Sequence, residues 1–257
     1  NGHCGKPQFE ILSLRPAPIQ ISYMGHPGTS GAPYVQYALV DRASAPVGSR
    51  SHFTEHFFSL HQWHVTDYRF AHAFETFAPP PDGSPPIGKL LAWPKEANRR
   101  DLGLPARSFV FATFNQLYKV SPSFYATWLN TMRRLPTSRL WMLDFPDIAS
   151  ANLRKEATAN GVWEERLLSA PTSTRTFHLA RISMADLHLD TSPYNGHTTV
   201  GDTTWMAVPS LAMPGEMMQS RVSIGYGYNA GCPQLQAHSR RWYEEFGFDV
   251  ATRPRAI

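Results

Sequence analysis

The sequence predicts an α/β protein built on parallel sheets, and two observations support that fold class. From about residue 104 onward, short apolar runs of strand length alternate with amphipathic segments of helix length. Strands that alternate with helices favour a parallel sheet with helices on both faces. Before that region lies a proline-rich run at 78–86, which is incompatible with a helix or a central strand. We therefore expect two units joined by a linker.

The expected elements follow in chain order from apolar periodicity and from Gly, Pro and capping signals. Strands are predicted near 19–24, 35–41, 108–114, 138–144, 166–169, 185–190 and 210–213, and helices near 122–135, 149–160, 175–181, 198–207 and from about 215. Gly161 is expected to end the second of these helices. Ser121 and Pro122 are expected to begin the first as N-cap and first-turn proline.

Composition excludes several classes of protein. The 257 residues are 42% hydrophobic and 17% charged, which is typical of a globular chain. The net charge of +4 comes from scattered Lys and Arg, so no nucleic-acid groove is expected, and the mild excess is usual for a solvated surface. Cys4 and Cys232 are too few for a disulfide framework or a zinc site. No run reaches the ~18 apolar residues of a membrane span.

The most informative stretch is 190–199, with the sequence DTSPYNGHTT, followed by Asp202. It lies between a predicted strand and a predicted helix, so the helix begins in a Gly-His-Thr-Thr run. The first amides of a helix lack intrahelical acceptors and carry partial positive charge, which suits phosphate. Asp202, one turn later, can accept from a ribose diol. The alternative is that the threonines are only an N-cap.

Two further loops follow predicted strands. Lys119 stands just after strand 108–114, at the edge where open α/β sheets bind ligands. The loop at 25–32, with the sequence GHPGTSGA, follows strand 19–24 and contains glycines that let the backbone approach a ligand closely. These two loops and the 190–199 stretch form the candidate site.

A zinc site is a competing interpretation at residues 52–56. The sequence His-Phe-Thr-Glu-His fits a short zinc-peptidase pattern, in which His52 and His56 would share a helix face. A third ligand is not identifiable, so a histidine-rich surface helix is the favoured interpretation. Trp63, Trp141 and Trp205 are assigned to packing rather than to sugar stacking.

Taken together, the segments LRPAPIQ, GHPGTSGA, FNQLYK, NGHTTxxD and AMPGE resemble the catalytic region of the O-linked N-acetylglucosamine transferases, glycosyltransferase family 41. They occur in the family's order, from Asn1 to about Phe246, and the resemblance is weakest between about 61 and 105. It implies a GT-B fold of two Rossmann-like lobes with a UDP-sugar in the cleft. Residues 1–78 would be the C-terminal part of an incomplete first lobe, 79–104 the linker and 105–257 the second lobe.

The resemblance also implies roles for individual residues. Lys119 and His197 are the expected catalytic groups at the diphosphate. The expected UDP-sugar contacts are Gly25, Gln116, Lys119, Ser173, Arg175, His178, Arg181, His197, Thr198, Thr199 and Asp202. Arg175 stands where the family commonly has lysine, and His26 and Asp144 replace a usual tyrosine and an arginine found in some members. Ser173 and Thr174 replace an Ala-Pro pair beside the uracil.

The implied activity is inverting transfer of N-acetylglucosamine from UDP-GlcNAc to Ser or Thr hydroxyls of proteins. No cofactor or metal is expected, since the chain has no Asp-x-Asp triplet. The expected partners are the donor and a protein acceptor, without nucleic acid or membrane, in the cytoplasm or the nucleus. The chain lacks an initiator Met and the family's upstream histidine motifs, so we expect a piece of a longer protein with tetratricopeptide repeats upstream. A GDP-fucose-dependent O-fucosyltransferase and a non-catalytic nucleotide-sugar-binding remnant remain open alternatives.

Overall fold

The structure, a computed structural model, describes residues 9–64 and 99–253. The first unit contains a short three-stranded sheet in which both strand pairs are parallel, in the order β1-β2-β3. Its elements are helix α1 (Phe9–Ser13), β1 (Ile21–Ser22), β2 (Tyr37–Asp41), a 3-10 turn (Val47–His52) and β3 (His56–Leu60).

The second unit is a five-stranded parallel sheet in the order β6-β5-β4-β7-β8. Its strands are β4 (Val110–Thr113), β5 (Arg139–Leu143), β6 (Leu167–Ala170), β7 (Leu187–Leu189) and β8 (Ser210–Leu211). Its helices are α2 (Pro122–Arg134), α3 (Asp147–Ala159), α4 (Arg175–Ile182), α5 (Thr198–Trp205), α6 (Val222–Asn229) and α7 (Arg240–Thr252). The described residues contain no helix of the length and apolarity needed to cross a membrane.

Both faces of the five-stranded sheet are covered, as its central strand shows. Phe111 packs with buried side chains of α2 and α7, including Trp128 and Tyr243. Its neighbours Val110 and Ala112 belong to a separate apolar cluster that contains Leu179 of α4. Successive residues of a strand point to opposite faces, so an uninterrupted apolar run is required here.

A third apolar cluster joins the two units. It combines Val40, Phe53 and Trp63 of the first unit with Met218 and Val222 of the second. The tryptophan assignment to packing holds for Trp63 and Trp141, which are 1% and 3% exposed, whereas Trp205 is 40% exposed.

Most predicted elements are confirmed to within a few residues, with the following exceptions. The helix expected from about 215 is wrong: Gly215 N–H bonds to Ser220 O at 3.1 Å in a turn, a 3-10 turn follows at Met218–Ser220, and α6 begins only at Val222. Ser121 and Pro122 occupy the predicted N-cap and first-turn positions of α2, but the Ser121 hydroxyl makes no capping hydrogen bond. Helices α1 and α7 and strand β3 lie outside the predicted set.

Another correction concerns the predicted histidine-rich helix. His52 ends a 3-10 turn and His56 begins β3, so the two rings do not share a helix face. Glu55 between them is buried and accepts from the Ser30 and Thr29 side chains. The Glu55 carboxylate therefore holds the GHPGTSGA loop in place.

The proline-rich run at 78–86 and most of the expected linker lie outside the described residues. The last linker positions are described, and they pack against the five-stranded sheet. Arg99 donates from Nε and Nη2 to Met184 O at 2.9 and 2.7 Å and pairs with Asp186 at 2.5 Å. Leu104 is buried in the cluster that contains Leu179.

The C-terminal end of α2 depends on one buried cation. Arg166 donates from Nη2 to the carbonyl oxygens of Met132 and Leu135 at 2.7 and 2.8 Å, and from Nε to Ser138 O at 3.2 Å. The last carbonyls of a helix lack their usual intrahelical donors. Met132 O and Leu135 O accept from Leu135 N and Ser138 N at 3.1 and 2.9 Å, and the guanidinium adds a charged donor to each.

We predict that Arg166→Met lowers the free energy of unfolding by about 3 kcal/mol, because buried carbonyls lose charged donors. Urea denaturation measures the change. The matched control is Arg134→Met in α2, which removes an exposed 3.0 Å pair with Glu245 and should change stability by less than about 1 kcal/mol. Equal effects of the two variants would contradict the capping role of Arg166.

Candidate functional site

The candidate site lies where the strand order of the five-stranded sheet changes direction, between β4 and β7. The loops that leave these neighbouring strands diverge there and form the crevice in which open α/β sheets bind ligands. Two hydrogen bonds tie the loops together. Ser121 Oγ donates to Ser192 O at 2.9 Å, and Lys119 Nζ donates to Asn195 O at 2.9 Å.

Asp190, at the end of β7, is fully buried beneath this crevice. Its Oδ1 accepts from Thr191 N, Gly196 N and Asn115 Nδ2 at 2.9, 2.7 and 3.0 Å. Its Oδ2 accepts from Ser223 Oγ at 2.5 Å. Burial raises the pKa of Asp190 to about 6, and these four donors oppose the rise. At neutral pH the carboxylate is therefore ionised and holds the whole 190–196 loop.

Gly196 is required by close approach rather than by its backbone angles. A Cβ at this position would lie 2.4 Å from Asn115 Oδ1 and 2.8 Å from Asn115 Nδ2. The glycine lets the β7 loop pass directly over the side chain that follows β4. Because of this contact, the chain enters α5 next to Lys119.

The N-terminus of α5 has no side-chain cap. The cap position is His197, and Thr198 and Thr199 are the first two residues of the eight-residue helix. The interpretation of the threonines as an N-cap is therefore wrong. Their amides belong to the first turn, whose N–H groups lack helical acceptors.

A cation and two rings stack beside this helix start. Lys119 Nζ lies 4.5 Å from the centroid of the Tyr194 ring, which stacks on the His197 ring at 5.1 Å. Burial and then the Lys119 charge lower the pKa of His197 to about 3, so its imidazole is neutral. His197 Nε2 lies 3.3 Å from Gln219 O. A carbonyl only accepts, so Nε2 carries the proton and Nδ1 is an acceptor.

The residues expected at the base and the ribose contact one another. Arg175 donates from both terminal nitrogens to the Asp202 carboxylate, at 2.6 and 2.5 Å. The Asp202 side chain is 3% exposed and that of Arg175 is 32% exposed. The pair therefore closes over the carboxylate that the sequence analysis assigns to a ribose diol.

His178 and Arg181 lie on the same helix, α4, against the end of β4. Arg181 Nε donates to His178 Nδ1 at 3.2 Å and its Nη1 donates to Pro171 O at 2.6 Å. His178 packs edge-on against Phe114 with ring centroids 5.2 Å apart. Burial, with the charges of Arg181 and Arg175, lowers the pKa of His178 to about 4.

Three predicted residues are at the periphery. Gln116 and Ser173 are exposed, in the loops that follow β4 and β6. Gly25 is exposed in the first unit, where its N–H bonds to Tyr23 O at 2.7 Å. Within the described residues, no group of three or more His, Cys, Asp or Glu could hold a metal ion.

The first unit also contributes to the site. Trp63 packs edge-on against His197 at 6.2 Å, and His64 lies 3.5 Å from the Thr198 hydroxyl. Arg221 Nε donates across the units to Ala43 O at 3.1 Å. Sequence reasoning missed His64 and the Asp190 network. The only signal in the sequence for this network was the Asp190 carboxylate, at the end of a predicted strand and shortly before the Gly-His-Thr-Thr run.

We predict that Asp190→Ala lowers the free energy of unfolding by about 4 kcal/mol, because buried donors lose their acceptor. Asp190→Asn keeps one oxygen and should lose about 1 kcal/mol near neutral pH. Denaturant unfolding of both variants measures these changes. If Asp190→Ala were as stable as Asp190→Asn, the network would not support the loop.

The difference in stability between wild type and Asp190→Asn should also depend on pH. The folded pKa of Asp190, about 6, lies above its ordinary value of 3.8. The part of the stability that comes from protonation of Asp190 in the folded state is therefore fully present below pH 3.8 and is lost as the pH rises through 6. The stability of wild type relative to Asp190→Asn should fall over that range.

Comparison with known proteins agrees with this geometry. A sequence model of the family described as Glycosyl transferase family 41 matches residues 1–77 and 95–255. A probable UDP-N-acetylglucosamine–peptide N-acetylglucosaminyltransferase SEC from Arabidopsis thaliana is 38% identical over 224 residues, covering 87% of this chain and 21% of that protein. A UDP-N-acetylglucosamine–peptide N-acetylglucosaminyltransferase of Caenorhabditis elegans is 26% identical over 344 residues, covering 98% and 30%. The chain thus spans less than a third of these relatives.

Solved structures show the same fold. A mutant O-GlcNAc transferase of Thermobaculum terrenum superposes with a TM-score of 0.74 at 26% identity, over 93% of this chain and 42% of that one. WaaG, a glycosyltransferase involved in lipopolysaccharide biosynthesis, superposes with a TM-score of 0.57 at 10% identity, over 96% and 72%, and bears on the fold alone. The predicted GT-B type of fold is confirmed. The parallel sheets, the crevice between β4 and β7 and the family match together show that this chain belongs to glycosyltransferase family 41.

Proposed function

We propose that the protein transfers N-acetylglucosamine from UDP-GlcNAc to Ser or Thr hydroxyls of proteins, with inversion and without a metal ion. The observation that supports this most directly is the position of Lys119. Its ammonium reaches the backbone of the β7 loop at Asn195, immediately before the start of α5. A cation and a helix N-terminus converge on one point of the crevice, which suits a diphosphate. The relatives' names supply the donor and the peptide acceptor.

The proposed chemistry needs charge stabilisation at the leaving group. As an acceptor hydroxyl attacks the anomeric carbon, the bond to the diphosphate breaks and negative charge grows on the departing phosphate. Lys119 and the first amides of α5, at Thr198 and Thr199, would receive that charge. Donors that are already in place stabilise the transition state more than the ground state. This chain's own residues would therefore take the part that a metal ion plays in other transferases.

The nucleoside end would lie on the opposite side of the loop, near α4 and α5. We propose that Asp202 accepts from the ribose diol while keeping part of its pair with Arg175, since a carboxylate has about four acceptor positions. Ser173, Gln116 and His178 would surround the uracil. A neutral His178, as its lowered pKa requires, suits an uncharged base.

Nucleotide selectivity separates this function from the fucosyltransferase alternative. We predict that UDP binds more tightly than GDP, by at least tenfold, and equally well in EDTA and in excess Mg²⁺. Isothermal titration calorimetry of the protein with each nucleotide measures this. A preference for GDP would support the fucosyltransferase, and binding lost in EDTA would contradict the metal-free diphosphate site.

Lys119 tests the mechanism. Lys119→Met removes the charge but keeps much of the side-chain volume, so kcat/KM should fall by about 100-fold or more, about 3 kcal/mol of transition-state stabilisation. Glycosyl transfer to a peptide measures the loss, and the melting temperature checks folding. The matched control is Lys155→Met on α3, an exposed helix position remote in sequence from the β4 and β7 loops. These assays use the full-length protein that contains this chain. Full transfer by folded Lys119→Met would refute the assignment, and no transfer by the full-length wild type would favour the non-catalytic remnant.

A further inference from the structure

We propose that His64 of the first unit is a positioning residue, which orients the Thr198 hydroxyl toward the diphosphate of the donor. This inference rests on the proposed nucleotide site, because the role of Thr198 there is part of that function. It adds a residue from the other unit to a phosphate site that otherwise belongs to the five-stranded sheet.

The position of His64 is fixed by packing. It follows β3 by four residues and is 6% exposed. Its ring centroid lies 6.0 Å from that of His197 and 5.9 Å from that of Tyr226 on α6. The adjacent Trp63 is buried in the apolar cluster that joins the two units. A buried imidazole is therefore placed directly against the start of α5.

Both nitrogens of His64 face hydroxyl groups of the second unit. Nδ1 lies 2.6 Å from Tyr226 Oη, and Nε2 lies 3.5 Å from Thr198 Oγ1. The second distance is long for a hydrogen bond. Such contacts in ligand-free sites often shorten when the ligand binds.

Protonation determines the direction of these bonds. Burial, together with the charge of Lys119, lowers the pKa of His64, so the imidazole is neutral and has one donor and one acceptor nitrogen. Burial raises the pKa of Tyr226, so its hydroxyl keeps its proton and can donate to Nδ1. Nε2 then carries the imidazole proton and points at Thr198.

The consequence for Thr198 follows from the donor inventory of a hydroxyl, which has one proton and two lone pairs. If His64 Nε2–H occupies a lone pair of Oγ1, the proton of Thr198 is directed elsewhere. The amides at the start of α5 attract an anion to the side that the Thr198 proton would face. A bound anion also favours the His64 tautomer with its proton on Nε2, because that proton points toward the anion. The hydrogen bonds would therefore all run in one direction: Tyr226 donates to His64, His64 donates to Thr198, and Thr198 donates to the phosphate.

The test compares UDP with uridine, which lacks the phosphates. His64→Phe keeps a flat ring of similar size and removes both nitrogens. We expect its dissociation constant for UDP to rise about tenfold while that for uridine stays within twofold. His64→Gln, whose side-chain amide can replace Nε2–H, should recover most of the UDP affinity. His61→Phe, three residues earlier and exposed, is the control and should bind UDP like wild type.

A double-mutant cycle assigns the effect to Thr198. In a Thr198→Val background, His64→Phe should cause no further loss of UDP affinity, because the two groups act through one bond. Equal losses for UDP and uridine, or full additivity with Thr198→Val, would overturn the positioning role. Unchanged UDP binding by His64→Phe would do the same. Failure of wild type to bind UDP would instead refute the proposed function, so the two failures are distinguishable.

Discussion

The buried carboxylate of Asp190 organises the second unit at the point where its sheet changes direction. Backbone amides of the β7 loop, an amide from the β4 loop and a hydroxyl from α6 all donate to this group. A buried charge is stable only when several donors surround it, so each of these segments is held in place by the same requirement. The entry of the chain into α5, and with it the geometry at Lys119, depends on this network.

Most of the five-stranded unit could be predicted from the sequence, because its strands are buried on both faces and its helices carry clear periodicity. Elements with weak or misleading local signals could not be predicted. The short strand β3 alternates poorly, with exposed Phe58 beside half-buried Phe57, and the spacing of His52 and His56 imitated a helix. The residues after Pro214 carry apolar side chains, yet the Gly215–Ser220 turn delays α6 to Val222.

The structure brings together the β4 and β7 loops that the sequence singled out, but the contacts between their side chains were not predicted. The carboxyl ends of parallel strands meet at one edge of a sheet, so the sequence placed Lys119 and Thr198 at the same edge, and the structure shows that their strands are neighbours. Contacts between side chains that are far apart in the sequence cannot be predicted in this way. The contact of Arg175 with Asp202, the dependence of Gly196 on Asn115 and the approach of His64 from the other unit all require three-dimensional packing.

The apolar cluster shared by the two units has a consequence for motion. Trp63 is packed with Met218 and Val222, so separating the units at this point would expose apolar surface to water. A rotation of the units about this cluster would keep these contacts, whereas a separation at the cluster would break them. Trp63 also packs against His197 at 6.2 Å, so the start of α5 lies beside the cluster and would be displaced least by such a rotation.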